Sequence, residues 1–327
     1  MNLKSALLSD KDLIRHNLLV RIARLYYICS MTHQEIADQE GLSRIKVTRL
    51  LKEAVEKKII EFNIQDPIIN TLELEEEFRK TFNLKKVIIT PTPQDPAEVY
   101  EILGRFAADF VMRNLSDGMN IGLDWGRTLF GMIPYLSKSA CKDIKIITLT
   151  GGLAANPNQP NPYDVASSIA NKIGGTPYYP IFPVIVENEE VKTVFLKEKH
   201  YKEIVELWGK IDVALVSVGI ITPETGLYYS QAYPQKEVVT VREAGAIGDI
   251  LARPFDKNGN LIKTSFTDRI ITIDFDNLKK IPLVLGIAGG QKKVNALYAA
   301  LKSGYLNALI TDEECAQSLL KIHKPPV

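Results

Sequence analysis

Residues 13–30, LIRHNLLVRIARLYYICS, space Leu18, Ile22, Leu25 and Ile28 three and four apart, which predicts an amphipathic helix. In THQEIADQEGLSRIKVTRLLKEAVEKK, residues 32–58, Thr32 can cap a short second helix, and Glu35 three positions on completes a capping box. That helix is expected to end near Gln39, where Gly41 supplies a left-handed backbone. Ser43 then caps a third helix that carries Val47, Leu50, Leu51 and Ala54 inward. A turn this short, with the small Ala37 where two helices cross, reads as a helix-turn-helix. IIEFNIQDP, residues 59–67, alternates like a short strand, a small wing, before Pro67 breaks it.

The period then changes. NTLELEEEFRKTFNLKKVIIT, residues 70–90, predicts a capped acidic helix with Leu72, Phe78 and Phe82 facing inward, followed by a strand over 86–90. Beyond it helix and strand alternate: a helix over 96–114, a strand over 119–124, a helix over 127–137 and a strand over 144–149. IDVALVSVG, RIITIDF and IPLVLGIAGG are short and nearly all apolar, as buried parallel strands are. The expected fold class is α/β. A winged-helix-like helix-turn-helix domain spans 1–66, and a large doubly wound parallel-sheet domain spans 67–327.

A chain of 327 residues suits such a small unit on a larger body. With 46% hydrophobic and 24% charged residues it has an ordinary globular composition, and a net charge of +1 means that any nucleic-acid surface must come from local clustering. Residues 43–58 provide one, with six basic side chains against two acidic. The outward face of the third helix carries Arg44, Thr48, Arg49 and Lys52, which predicts docking in the major groove of double-stranded DNA. Arg44 and Arg49 are expected at guanine edges and Lys46, Lys52, Lys57 and Lys58 at phosphates, with Ser43 at the helix start and Gln34 from the preceding helix. A solvated helical hairpin, or one that binds protein, would carry the same charges. Cys29, Cys141 and Cys315 lie far apart with no C-x-x-C pair, which predicts neither disulfides nor a metal site and fits a reducing cytoplasm. Charges interrupt the N-terminal MNLKSALLSDKDLIRH and no apolar run nears spanning length, so neither a signal peptide nor a membrane anchor is expected.

Several predicted strands end in glycine: Gly126 after IGLDW, Gly151 and Gly152 after IITLT, Gly219 after ALVSV, Gly289 and Gly290 after LGIA. Ligands bind beyond the carboxyl ends of parallel strands, so four such ends predict one crevice of exposed amides suited to an anion or a sugar phosphate. One glycine with a Thr at a helix start is equally a plain turn with capping chemistry. Arg127, Lys292 and Lys293 are placed to neutralise a phosphate. Asp249 in GAIGDILARPFD could accept sugar hydroxyls or serve a turn. His16 and His33 belong to the first domain, and His200 and His323 are remote from every glycine-rich end. With no nucleophile elbow, zincin or Walker lysine pattern, no catalytic residues and no cofactor are expected. Asp124, Asp212 and Asp249 remain as carboxylates without an evident partner for acid-base work.

The order helix-turn-helix, GLDWGRT, TGGLA, GAIGDI, GIAGGQKK and NALITDEECAQSLL resembles, over essentially the whole chain, the SorC family of bacterial sugar-responsive transcriptional regulators. The resemblance implies a homo-oligomer, a tetramer or a dimer. Its large domain would be similar to sugar-phosphate isomerases and glucosamine-phosphate deaminases but would act as a sensor, commonly of a phosphorylated sugar. The family's G-x-T phosphate loop falls on Gly126, Arg127 and Thr128, its A-G-G-x-x-K on Ala288, Gly289, Gly290 and Lys293, and its G-D-I on Gly248, Asp249 and Ile250. In the loop after Gly151 and Gly152, Gln159 is the nearest match to a polar effector contact. Members that act covalently use a lysine in this region; none occurs between Gly151 and Asn171, so reversible binding is expected. The resulting expectation is a DNA-binding regulator of a carbohydrate-utilisation operon. The competing one is a sugar-phosphate isomerase or deaminase with an accessory helical domain, which sustained turnover would reveal.

Overall fold

The computed structural model describes residues 10–61, 71–153, 161–222 and 235–324, and the chain divides into two compact units, Met1–Pro67 and Ile68–Val327. The first unit holds helices α1 (Asp10–Tyr27), α2 (His33–Glu40) and α3 (Arg44–Glu56). Leu19, Ile22, Ile36, Ala37, Val47, Leu50, Leu51 and Ala54 form its core. Local chemistry sets the boundaries. The Thr32 hydroxyl accepts the Glu35 N–H at 3.3 Å while the Glu35 carboxylate accepts the Thr32 N–H at 2.7 Å, so two donors that the helix leaves unpaired are satisfied. Gly41 ends α2 at φ 63°, and the Ser43 hydroxyl accepts the Lys46 N–H at 3.2 Å to open α3.

Two expectations change in this unit. The first helix ends at Tyr27 and Ile28 stands 70% exposed, because the chain turns there, with the Ile28 and Cys29 N–H groups both donating to the Arg24 carbonyl. The predicted wing strand over 59–67 falls mostly outside the described residues; Ile59 and Ile60, at its start, pack on the helical core and form no strand.

The second unit is built on a seven-stranded sheet. Its strands are β1 (Lys86–Thr90), β2 (Asn120–Leu123), β3 (Lys145–Thr148), β4 (Thr176–Tyr178), β5 (Val213–Val216), β9 (Leu283–Ile287) and β10 (Ala308–Asp312). Their order is β1-β10-β9-β5-β2-β3-β4, and every pairing is parallel. Successive residues of a strand point to opposite faces, and β5 shows it: Ala214 and Val216 join one core while Val213 and Leu215 join the other. Helices α4 (Thr71–Thr81), α8 (Lys199–Trp208), α9 (Val294–Lys302) and α10 (Glu313–His323) supply the first core. Helices α5 (Val99–Asn114), α6 (Arg127–Gly131) and α7 (Pro162–Ile173) supply the second. Burial on both faces is what the continuous apolar runs require. From β2 the chain steps outward to β3 and β4, then returns to β5 on the other side of β2 and steps away through β9. The topological switch therefore lies between β2 and β5, in register at Leu123 and Leu215. Just past β5, a three-stranded antiparallel sheet joins β6 (Gly219–Ile220), β7 (Gly248–Ile250) and β8 (Arg253–Phe255).

RIITIDF contributes no strand to the main sheet. Ile270 to Ile273 and Phe275 are buried, but Ile270 and Thr272 make only isolated antiparallel bridges to Ile185 and Thr150. Apolarity reports burial and says nothing of pairing partners. The helix expected over 127–137 ends at Gly131 and resumes as a single 3-10 turn over Ile133–Tyr135, with Pro134 inside it. Of the three inward residues predicted for this helix, Phe78 is fully buried, Phe82, one residue past the end of α4, is half-buried and Leu72 is 72% exposed at the helix start.

Candidate functional site

A cavity of about 1280 Å³ opens at the carboxyl ends of the parallel strands, at the switch point. Asp124, Trp125 and Gly126 follow β2, Ser217 to Ile220 follow β5, Gly289 and Gly290 follow β9, and Asp312 ends β10, all in its wall. The antiparallel sheet contributes Asp249, Leu251 and Ala252, and the N-terminal turn of α5 contributes Tyr100.

Backbone approach shapes this wall. Gly126 has φ 137°, a conformation that side chains disfavour, and it leads into α6 with Thr128 buried in the first turn. Gly219 is paired opposite Asp249, and a Cβ there would overlap the Asp249 carboxylate.

The charged groups divide into two sets. In the first set the Arg127 guanidinium lies 4.1 Å from the centre of the Tyr100 ring and donates to the Tyr100 hydroxyl at 2.7 Å, while the Lys293 ammonium lies 5.7 Å from the same ring. The second set is two buried carboxyls, both within electrostatic range of Lys293. Burial pushes Asp124 up to about 8, partly opposed by the Ser217 N–H that it accepts at 3.0 Å. Burial likewise lifts Asp249 to about 7, opposed by Lys293, and lowers Lys293 to about 8. The Ser217 Oγ is buried without a hydrogen-bond partner among the described residues. The arrangement offers two cations to an anion, and beside them carboxyl and hydroxyl groups able to exchange hydrogen bonds with a polyol.

Of the predicted ligand-contacting residues, Gly126, Arg127, Thr128, Asp249, Gly289, Gly290 and Lys293 come together in this wall, and Lys292 joins them. Gly151 and Gly152 are not among the described residues that line it. Their backbone is engaged elsewhere: the Gly152 N–H donates to the Phe182 carbonyl and its carbonyl accepts the Val184 N–H. Ala288 lies in the core beneath, donating its N–H to Ile310. Gln159 lies outside the described residues. Sequence reading left Asp124 without a partner, although it directly follows a predicted strand end. It passed over Tyr100, Ser217 and Asp312, the last of which accepts the Gly290 N–H at 2.5 Å and the Cys315 N–H at 3.0 Å. No local pattern marks Tyr100, which a helix brings in from outside the glycine-rich ends. Among the described residues no group of three or more His, Cys, Asp or Glu could hold a metal ion, and no helix is long and apolar enough to cross a membrane.

In the first unit the basic side chains also fall into two classes. Arg15 and Lys57 pair with Glu53 at 2.5 and 3.0 Å, and Arg21 pairs with Glu40 at 2.9 Å. Arg44, Lys46, Arg49 and Lys52 on α3 are exposed and have no ion-pair partner among the described residues. Lys57, expected at phosphates, shares the one Glu53 carboxylate with Arg15, whereas Arg44, Arg49 and Lys52 of the predicted outward face, and Lys46 expected at phosphates, have no ion-pair partner among the described residues. Ser43 spends its hydroxyl on the helix cap. The Thr48 hydroxyl lies 3.1 Å from both the Arg44 carbonyl and the His33 ring, tying α3 to α2. Gln34 is exposed and donates to Asp38 at 2.8 Å.

Comparison with known proteins adds three findings. Residues 66–321 match the family model described as a sugar-binding domain. The deoxyribonucleoside regulator of Bacillus subtilis (strain 168) is 29% identical over 94% of this chain and 99% of that protein. The sorbitol operon regulator of Klebsiella pneumoniae is 28% identical over 96% and 100%. The crystal structure of the full-length sorbitol operon regulator SorC from Klebsiella pneumoniae superposes with a TM-score of 0.72 at 27% identity, covering 93% of this chain and 98% of that one.

Proposed function

The chain belongs to the SorC-type sugar-binding family, and from that premise we propose that it is a DNA-binding transcriptional regulator of a carbohydrate-utilisation operon, controlled by a phosphorylated sugar. One observation carries the ligand class: one cavity at the switch point is lined by the Arg127 and Lys293 cations, the buried Asp124 and Asp249 carboxyls and the Ser217 hydroxyl, whose oxygen is buried. The cations answer a phosphate, and the carboxyl and hydroxyl groups answer sugar hydroxyls. The unpaired cations of α3, in a helix-turn-helix, support operator binding. A reading head of this size spans one half-site, so we infer that the chain binds DNA as a dimer or tetramer in the cytoplasm, with the ligand shifting the relative populations of DNA-competent and incompetent states. The named relatives are regulators, and we propose that this chain likewise turns over no substrate.

Thermal denaturation of the full chain with a panel of sugar phosphates, their parent sugars and inorganic phosphate tests this reading. A ligand that binds the native state raises the Tm, and the largest rise is expected from a phosphorylated sugar. Lys293→Ala should abolish that rise while keeping DNA affinity, and Arg49→Ala should do the reverse. Sustained conversion of a sugar phosphate by the purified chain, lost in Asp249→Ala, would favour an enzyme instead.

A further inference from the structure

We propose that Ile45 is a base-reading residue that packs on the C5-methyl group of a thymine in the major groove. The proposal rests on the DNA-binding reading above and adds to it a sequence preference.

The argument begins with the helix. In α3, Val47, Leu50, Leu51 and Ala54 are 6% exposed or less and fix which side faces the core. At about 100° per residue, Ile45, Arg49 and Lys52 lie within roughly 40° of the direction opposite Val47. Ile45 is therefore at the centre of the outward stripe, and it is 75% exposed. It takes no part in the core cluster of its unit, which Leu19, Ile22, Ile36, Ala37, Val47, Leu50, Leu51 and Ala54 form.

An isolated surface isoleucine needs no explanation by itself. Its surroundings make this one informative. It sits in the first turn of the second helix of a helix-turn-helix, the part that approaches base edges, with the free cations Arg44, Lys46, Arg49 and Lys52 around it. Those cations suit phosphates and guanine, so the face is built to be covered by a polyanion. When that happens Ile45 loses its water, and the one apolar feature on the floor of the major groove is the thymine methyl. A branched side chain has little conformational freedom to lose on packing there. A backbone-only contact would be served as well or better by a polar side chain.

The test uses the full chain. Duplexes are selected from a random library, and each thymine of the selected site is then replaced in turn by deoxyuridine, which removes only the methyl. Affinities are measured by fluorescence anisotropy for the parent chain, Ile45→Val and Ile45→Ala. At one thymine of each half-site, methyl removal is expected to weaken the parent about fourfold, the effect of about 0.8 kcal/mol for one buried methyl-sized group. The same removal should leave Ile45→Ala unchanged, and Ile45→Val should keep most of the effect. Because Ile45 is exposed, the variants retain the folded core, which circular dichroism verifies. If methyl removal costs the parent and Ile45→Ala the same at every thymine, the assignment is wrong although DNA binding stands. A selection that enriches no duplex overturns both.

Discussion

Asp249 holds a carboxyl at about 7 because the cavity wall strips its water, with Lys293 as the opposing influence. An unfolded chain would release that proton near 3.9. Between roughly pH 4 and 7 the native state therefore keeps a proton that the unfolded state has lost, so this group's contribution to stability is complete below the window and disappears as the pH rises through it. Asp249→Asn removes the dependence. Its Tm relative to the parent should climb between pH 5.5 and 8; a difference that stays constant over that range would mean the carboxyl is ionised throughout. The identity of Asp249 as a candidate was legible in GAIGDI, but its protonation was not, since that depends on Gly219 and Lys293 packed against it from elsewhere in the chain. Tyr100 was illegible altogether. Its value lies in Arg127 and Lys293 meeting over one ring, and neither is its neighbour in sequence.

Among the elements, those closed by their own caps were the most readable. Thr32, Glu35, Gly41 and Ser43 fix α2 and the start of α3 through hydrogen bonds spanning three or four residues. Thr32→Ala should cost about 1 kcal/mol, the usual worth of a helix cap, and urea denaturation monitored by helicity should register it as an earlier transition. An unmoved midpoint would mean that the tertiary core alone holds α2. Elements set by distant packing were less readable. RIITIDF has the composition of a sheet strand, but its backbone is taken up by Leu149 and Val184 instead. The hairpin between β7 and β8 turns through Leu251 and Ala252 at φ 54° and 60°, a geometry usually assigned to Asn-Gly. Both residues are 1% exposed, so burial offsets a conformational cost of about 1–2 kcal/mol each that local propensity would have advised against.

For the molecule as a whole, a regulator with a DNA-reading unit and a sensing unit implies an exchange of free energy between two ligands. The effective sugar phosphate should change operator affinity by about 5- to 150-fold, the range of 1–3 kcal/mol, and operator DNA should change affinity for that sugar phosphate by the same factor. Titrations of each ligand in the absence and presence of the other check the equality, and identical affinities in both would show units that act independently. The alternation of helix and strand, the apolar runs and the glycine-rich strand ends determined the α/β class and the carboxyl-end location of a site, because periodicity and backbone freedom are properties of short segments. The caps and the 3.6-residue stripe determined the helix-turn-helix for the same reason. Only the tertiary structure decided that β2 and β5 lie side by side, that Gly151 and Gly152 are used in backbone pairing, and that side chains from Tyr100 to Asp312 share one cavity. Strand order and desolvation arise from contacts between residues far apart in the chain, and no local pattern encodes them.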